Sequence, residues 1–149
     1  MCHAHHMTTP EAPIPATWEK WCGTGNIRLR GKRKRNAIRK CLKNGHVRGY
    51  FSDLLIRPDL PPEDAMAPSI EHLVDPKNHD DVVVETRVIN DMRSILSERE
   101  FWQVIEHLFV VGVQKGEIKP PFGKRLSKAW SPKRHFSKPP VQEVVVEPA

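Results

Sequence analysis

Between Asp81 and Val113 the hydrophobic period of the chain changes from two to 3.6. "DVVVETRVIN", residues 81–90, carries three consecutive valines and a threonine. Such side chains suit a pleated, half-buried surface, and Val82, Val84 and Thr86 would share one face of a strand. "SEREFWQVIEHLFVVGV" follows, with Phe101, Trp102, Val104, Ile105, Leu108 and Phe109 on one broad helical face. It opens with Ser97 and Glu100 in the spacing of a capping box, and Gly112 or Gly116 supplies a stop. Trp102 is expected in the core on this periodicity. Upstream, "SIEHLV" (69–74) reads as a partner strand, and "DPKNHDD" between the two strands is rich in turn formers. Strand, loop, strand, helix predicts a small α+β domain: a ββα unit from 68 to about 96 backed by a helix over 97–111.

The rest of the chain limits how large that domain can be. At 149 residues it suits one domain, but fourteen prolines and a mean hydropathy of -0.54 imply a modest core with irregular ends. Residues 1–16 read as a disordered tail, 17–116 as the folded domain with its core unit at about 68–111, and 117–149 as a basic, proline-rich tail. His3, His5 and His6 could hold a metal ion in vitro, or Met7 could be the true start. No apolar run approaches the ~18 residues of a spanning helix, and the N-terminus lacks a secretory apolar region. A cytoplasmic protein without a membrane partner is expected. Cys2, Cys22 and Cys41 are too few and too scattered for a disulfide framework, and with no CxxC a cysteine zinc knuckle is not expected. Cys41 reads as a small hydrophobe on the apolar side of a helix.

Charge is distributed unevenly. Residues 28–48 hold ten lysines and arginines and no acid: Arg28, Arg30, Lys32, Arg33, Lys34, Arg35, Arg39, Lys40, Lys43 and Arg48. Ala37, Ile38, Cys41 and Leu42 give "KRKRNAIRKCLKN" a narrow apolar stripe, with Gly45 as a helix stop. Like charges this close destabilise a helix, and phosphates would relieve that repulsion. The expected partner is nucleic acid, DNA in the first instance. Trp18 and Trp21 would clamp this basic arm to the body. Residues 50–64 read as a short helix or turn ending at Pro58. From 53 to 81 the balance reverses, with eight acids against Arg57 and Lys77. Past 117, lysines and arginines alternate with Phe122, Trp130 and Phe136, a pattern open both to single-strand stacking and to an ordinary basic tail.

The remaining motif is "PSIEHL" set beside "VVVETRVINDMRS". The order is strand, acid–His, loop, strand, then Asn at a helix start with Arg three residues on. It resembles the HNH (His-Me finger) endonuclease motif, over a stretch from Pro68 to about Phe101. The resemblance implies a ββα-metal unit binding one divalent ion, Mg²⁺ or Mn²⁺. It implies Glu71 and Asn90 as metal ligands, His72 as the general base, and Asp81 at the position that orients the base, with Asn78 and His79 close by if the loop register differs. Arg93 falls where the family holds phosphate, and a salt bridge to Asp91 or Glu71 is its competing role. The chemistry is coherent: hydrolysis of a phosphodiester needs a base near neutral pH and a Lewis acid at the leaving oxygen. The chain departs from the pattern in having Glu71 rather than Asp, Asp81 rather than Asn, and Thr86 and Ile89 where many relatives place zinc-knuckle cysteines. The hairpin must then be held by packing alone.

The expected function is metal-dependent DNA nicking or cleavage, with the basic arm gripping the backbone. A compact nuclease of this kind would suit a phage or mobile element. The alternatives are a non-catalytic nucleic-acid binder in which the ββα unit is scaffold, and a protein that meets other proteins through its acidic 53–81 patch.

Overall fold

The structure is a computed structural model that describes residues 12–124 and 126. His3, His5, His6, Met7 and most of the aromatic–basic tail, including Trp130 and Phe136, lie outside the described residues. A 3-10 turn (Ala16–Trp18) leads into α1 (Glu19–Cys22) and α2 (Lys32–Lys40). Two short strands follow, β1 (Leu42–Lys43) and β2 (His46–Val47). A long irregular segment reaches β3 (Pro68–His72), β4 (Val82–Thr86), α3 (Arg87–Arg93) and α4 (Glu98–Gln114). This is a small mixed α+β protein, with two two-stranded antiparallel sheets among the described residues, β1–β2 and β3–β4.

The β3–β4 hairpin is central. Its register pairs Pro68 with Thr86, Ile70 with Val84 and His72 with Val82. β4 is buried along its whole length, on both faces, where an alternating pattern was expected. Neither face meets water, which suits the apolar run Val82, Val83 and Val84, and Glu85 and Thr86 are buried with it. α2 packs on β4 through Ala37 and Ile38, joined in the core by Trp18, Cys22, Val47 and Ile56. Ile14 is buried in this core too, so the tail expected over 1–16 ends before Ile14.

Three boundaries differ from the sequence reading. The basic helix ends at Lys40, and Gly45 is no helix stop. Asn44 (φ 52°) and Gly45 (φ 77°) form the two-residue turn between β1 and β2. Asn-Gly is the favoured pair for such a turn because both positions take positive φ. The strand expected over 81–90 ends at Thr86, so Asn90 lies within α3 rather than at its start. The first turn of α3 is held from outside: the Arg87 and Val88 N–H groups donate to the Ala67 and Ala65 carbonyls at 2.9 and 2.8 Å. These partners satisfy N–H groups that a helix start otherwise leaves orphaned. Finally, α4 runs through Gly112 to Gln114, and Gly116, at φ 73°, follows its end. Gly112 is required for contact, since a Cβ there would sit 2.6 Å from Ile118 Cδ1. The capping box is present: Ser97 Oγ accepts from the Glu100 N–H, and Glu100 accepts from the Ser97 N–H.

Residues 50–64, read as a short helix or turn, form turns without a helix. They tie the sheets together: Tyr50 N–H donates to the Val84 carbonyl, and Ile56 N–H to the Val47 carbonyl. Trp102, expected in the core, is 45% exposed. α4 buries only Phe101, whose ring meets Phe51 at 5.7 Å.

Candidate functional site

Strand alternation separates the acid–His pair. Adjacent residues on a strand point to opposite faces, so Glu71 turns toward α3 and His72 away from it. Glu71 is buried and ion-paired with buried Arg93. The same guanidinium donates to the His72 and Leu73 carbonyls at 2.9 and 2.8 Å and lies over the Phe51 ring. Arg93 therefore has the second of the roles the sequence left open, the salt bridge to Glu71, and buried there it presents no charge to a phosphate. Burial lifts the Glu71 carboxyl above its ordinary value, against the opposing pull of Arg93. Glu71 Oε2 and Arg93 Nε are buried without hydrogen-bond partners.

Asn90 is on the same side. Its side-chain N–H group donates to Ser69 Oγ at 2.7 Å and to the Ile70 carbonyl at 3.2 Å, stitching α3 to β3. The resemblance would place a divalent ion between Glu71 and Asn90, and as arranged these two do not fit one. The charge a cation would supply to Glu71 is already supplied by Arg93, and a metal ion there would meet the guanidinium at contact. Among the described residues no cluster of three or more His, Cys, Asp or Glu side chains could hold a metal ion.

His72 stands at the other face, half-buried at the end of β3. Its Nε2 meets His79 Nδ1 at 3.0 Å, and the two rings are edge-to-face. Burial, then the neighbouring His79, pushes the His72 pKa below the usual histidine value, with Asp75 opposing. Both effects favour the neutral imidazole, the form in which it accepts a proton. Asp81, assigned to orient the base, contributes its carbonyl to the Leu73 N–H at 3.2 Å. The ring partner of His72 is His79, one of the two loop residues the alternative register had offered.

The cations of 28–43 divide into two groups. Several are structural. Lys34 is buried, its Nζ donating to the Trp21 and Thr24 carbonyls at 3.0 and 2.7 Å and lying 4.0 Å from the Trp21 ring centre. Burial lowers its pKa to about 8. Its assignment to nucleic acid is corrected: the ammonium is spent inside the fold. Arg35 pairs with Glu19, Lys43 with Asp53, and Arg39 donates to the Ala12 carbonyl and Asn36. Arg33 pairs with Asp80 at 2.9 Å, and Lys40 reaches the Asp80 and Val82 carbonyls. Arg28, Arg30 and Lys32 are exposed and have no acidic partner among the described residues. The basic segment is consequently a packed wall of the domain with a cationic corner, and not a free arm.

Sequence reasoning missed Glu85. It is fully buried on β4 and accepts from the Ser52 N–H (2.8 Å), Ser52 Oγ (3.1 Å) and the Thr86 N–H (3.0 Å). Burial raises its pKa. The sequence signal was a glutamate inside an otherwise apolar strand. Gly49 makes room for it: a Cβ at Gly49 would lie 1.7 Å from Glu85 Oε2. No protein-family model matches the chain, and searches of curated proteins and of solved structures find no match.

Proposed function

We propose that this chain acts on nucleic acid: it holds a phosphate backbone at the cationic corner of α2, and His72 supports phosphodiester cleavage beside it, in the manner of the HNH endonucleases its sequence resembles. One observation carries the reading. Arg33 and Lys40 of α2 both engage Asp80, the chain neighbour of His79, and His79 meets His72 at 3.0 Å. A backbone lying along α2 toward that loop would bring a phosphate near the imidazole pair. Arg28, Arg30 and Lys32 would neutralise phosphates without reading bases, a contact that releases counterions and is steeply salt-dependent. Neutral His72 would take the proton of an attacking water.

The family pattern adds Mg²⁺ or Mn²⁺, but Arg93 covers Glu71, the carboxylate that pattern would use as a ligand. That closed pair favours a second reading, a non-catalytic binder whose ββα unit is scaffold. Supercoiled-plasmid nicking with Mg²⁺, Mn²⁺ or EDTA separates the two, run beside His72→Ala and the triple variant R28Q/R30Q/K32Q. Open circles lost in His72→Ala, and weakened in the triple variant, support cleavage. Intact plasmid in every condition, with a salt-sensitive gel shift that His72→Ala retains, leaves the binder. A gel shift unaffected by the triple variant refutes the cationic corner in both readings.

A further inference from the structure

We infer that two copies of this chain associate through α4, packed antiparallel about a two-fold axis. The helix is seventeen residues, about 25 Å, yet only Phe101 in its first turn is buried against the body. Beyond that turn Ile105 and Val111 are half-buried and most of the remaining apolar face is exposed. Trp102, Phe109 and Val113 line one flank of the stripe and Val104 and Leu108 the other, at exposures between 39% and 51%. Phe122 extends the patch by packing on Phe109 with ring centres 5.2 Å apart, while itself 53% exposed.

Area and charge both select a second copy as the occupant. These side chains leave on the order of 500 Å² of apolar surface exposed, near the upper end of what monomers carry. Two such faces together bury about 1,000 Å², the lower bound for a specific interface. The stripe is also bordered by opposite charge at its two ends. Glu98, Glu100 and Glu106 lie along the first half of α4 against one cation, Arg99. Lys115, Lys119 and Lys124 follow its C-terminal end against one acid, Glu117. A parallel pair would set like charges together. An antiparallel pair lays each acidic end beside the partner's lysines and opposes the helix dipoles, both favourable. Self-complementarity of this kind is what a two-fold interface requires.

The test is sedimentation equilibrium of the full chain over a micromolar concentration series, at low and high salt. A mass of twice 17.1 kDa is expected at the upper end. Leu108→Glu places a charge in the stripe and should weaken association at least about ten-fold while circular dichroism and melting temperature stay those of the parent. Glu98→Lys and Lys115→Glu should each weaken it several-fold, and the double swap should restore it. A monomer throughout the series overturns the proposal, as does a dimer that a folded Leu108→Glu leaves intact. A double swap weaker than either single substitution overturns the antiparallel arrangement.

Discussion

Replacing Arg93 with methionine should unfold the hairpin end of the domain more than any change at the surface. Methionine keeps most of the stem volume over Phe51 but removes the guanidinium that holds Glu71 and the carbonyls of His72 and Leu73. Breaking one side of a buried ion pair costs about 3–5 kcal/mol, because the remaining charge is stranded away from water. Each abandoned carbonyl adds up to about 1 kcal/mol where water cannot reach it. One effect limits the loss: Glu71 already has a raised pKa, so without Arg93 it can take up a proton in place of a partner. The expected net cost is about 4 kcal/mol at pH 7, roughly 8–16 °C in melting temperature for a chain of this size. It should shrink as pH falls, since a raised carboxyl pKa contributes stability at low pH that is lost as pH rises through it. The double variant Glu71→Leu/Arg93→Met should recover most of the loss, as apolar replacements of buried pairs do. Urea unfolding of the parent, both singles and the double at pH 7 and pH 5 measures all of this. An Arg93→Met protein within about 1 kcal/mol of the parent at pH 7 would refute the argument, and so would a double variant no better than the single.

Gly49→Ala should cost about 2–4 kcal/mol in urea unfolding, since its Cβ must displace the buried Glu85 carboxylate and the Ser52 hydroxyl. Lys34→Met should remove a pH dependence: the parent's depressed lysine pKa, about 8 against 10.5, makes its stability rise on the order of 3 kcal/mol between those values relative to the variant. Paired unfolding curves at pH 7.5 and 10 read that difference directly, and parallel behaviour of the two proteins would contradict the buried-ammonium account. If His72 is the base, the acid limb of plasmid nicking should lie below the ordinary histidine value of 6.5, because the folded-state pKa is lowered. A limb above that value would point to another group. Neutralising Arg28, Arg30 and Lys32 together should reduce the salt slope of duplex binding by about 2–3, near 0.9 for each phosphate left without its cation.

Local chemistry by itself determined the elements whose signals lie within a few residues. Three valines and a threonine favour a strand at β4, Ser97 and Glu100 cap α4 from within its own first turn, and turn formers lie between β3 and β4 over 75–81. The charge run of 32–40 and its apolar stripe were legible as a helix, and the α+β class followed from the change of period. Other outcomes depended on distant partners. Lys34 turns inward because Trp21 and Thr24 present their carbonyls thirteen and ten residues away in the chain. Trp102 and Leu108 stay exposed because the contacts of α4 fall on other side chains: Phe101 meets Phe51, Phe109 meets Phe122 and Gly112 meets Ile118. Periodicity cannot reveal this: it gives a helix an apolar face but not the surface that covers it. The candidate site shows the same division. The Glu71–His72 dipeptide was visible at once. That its two side chains serve opposite faces, one taken by Arg93 and the other by His79, follows from the pleat of β3 between α3 and the 73–81 loop, and only the packed structure decides it.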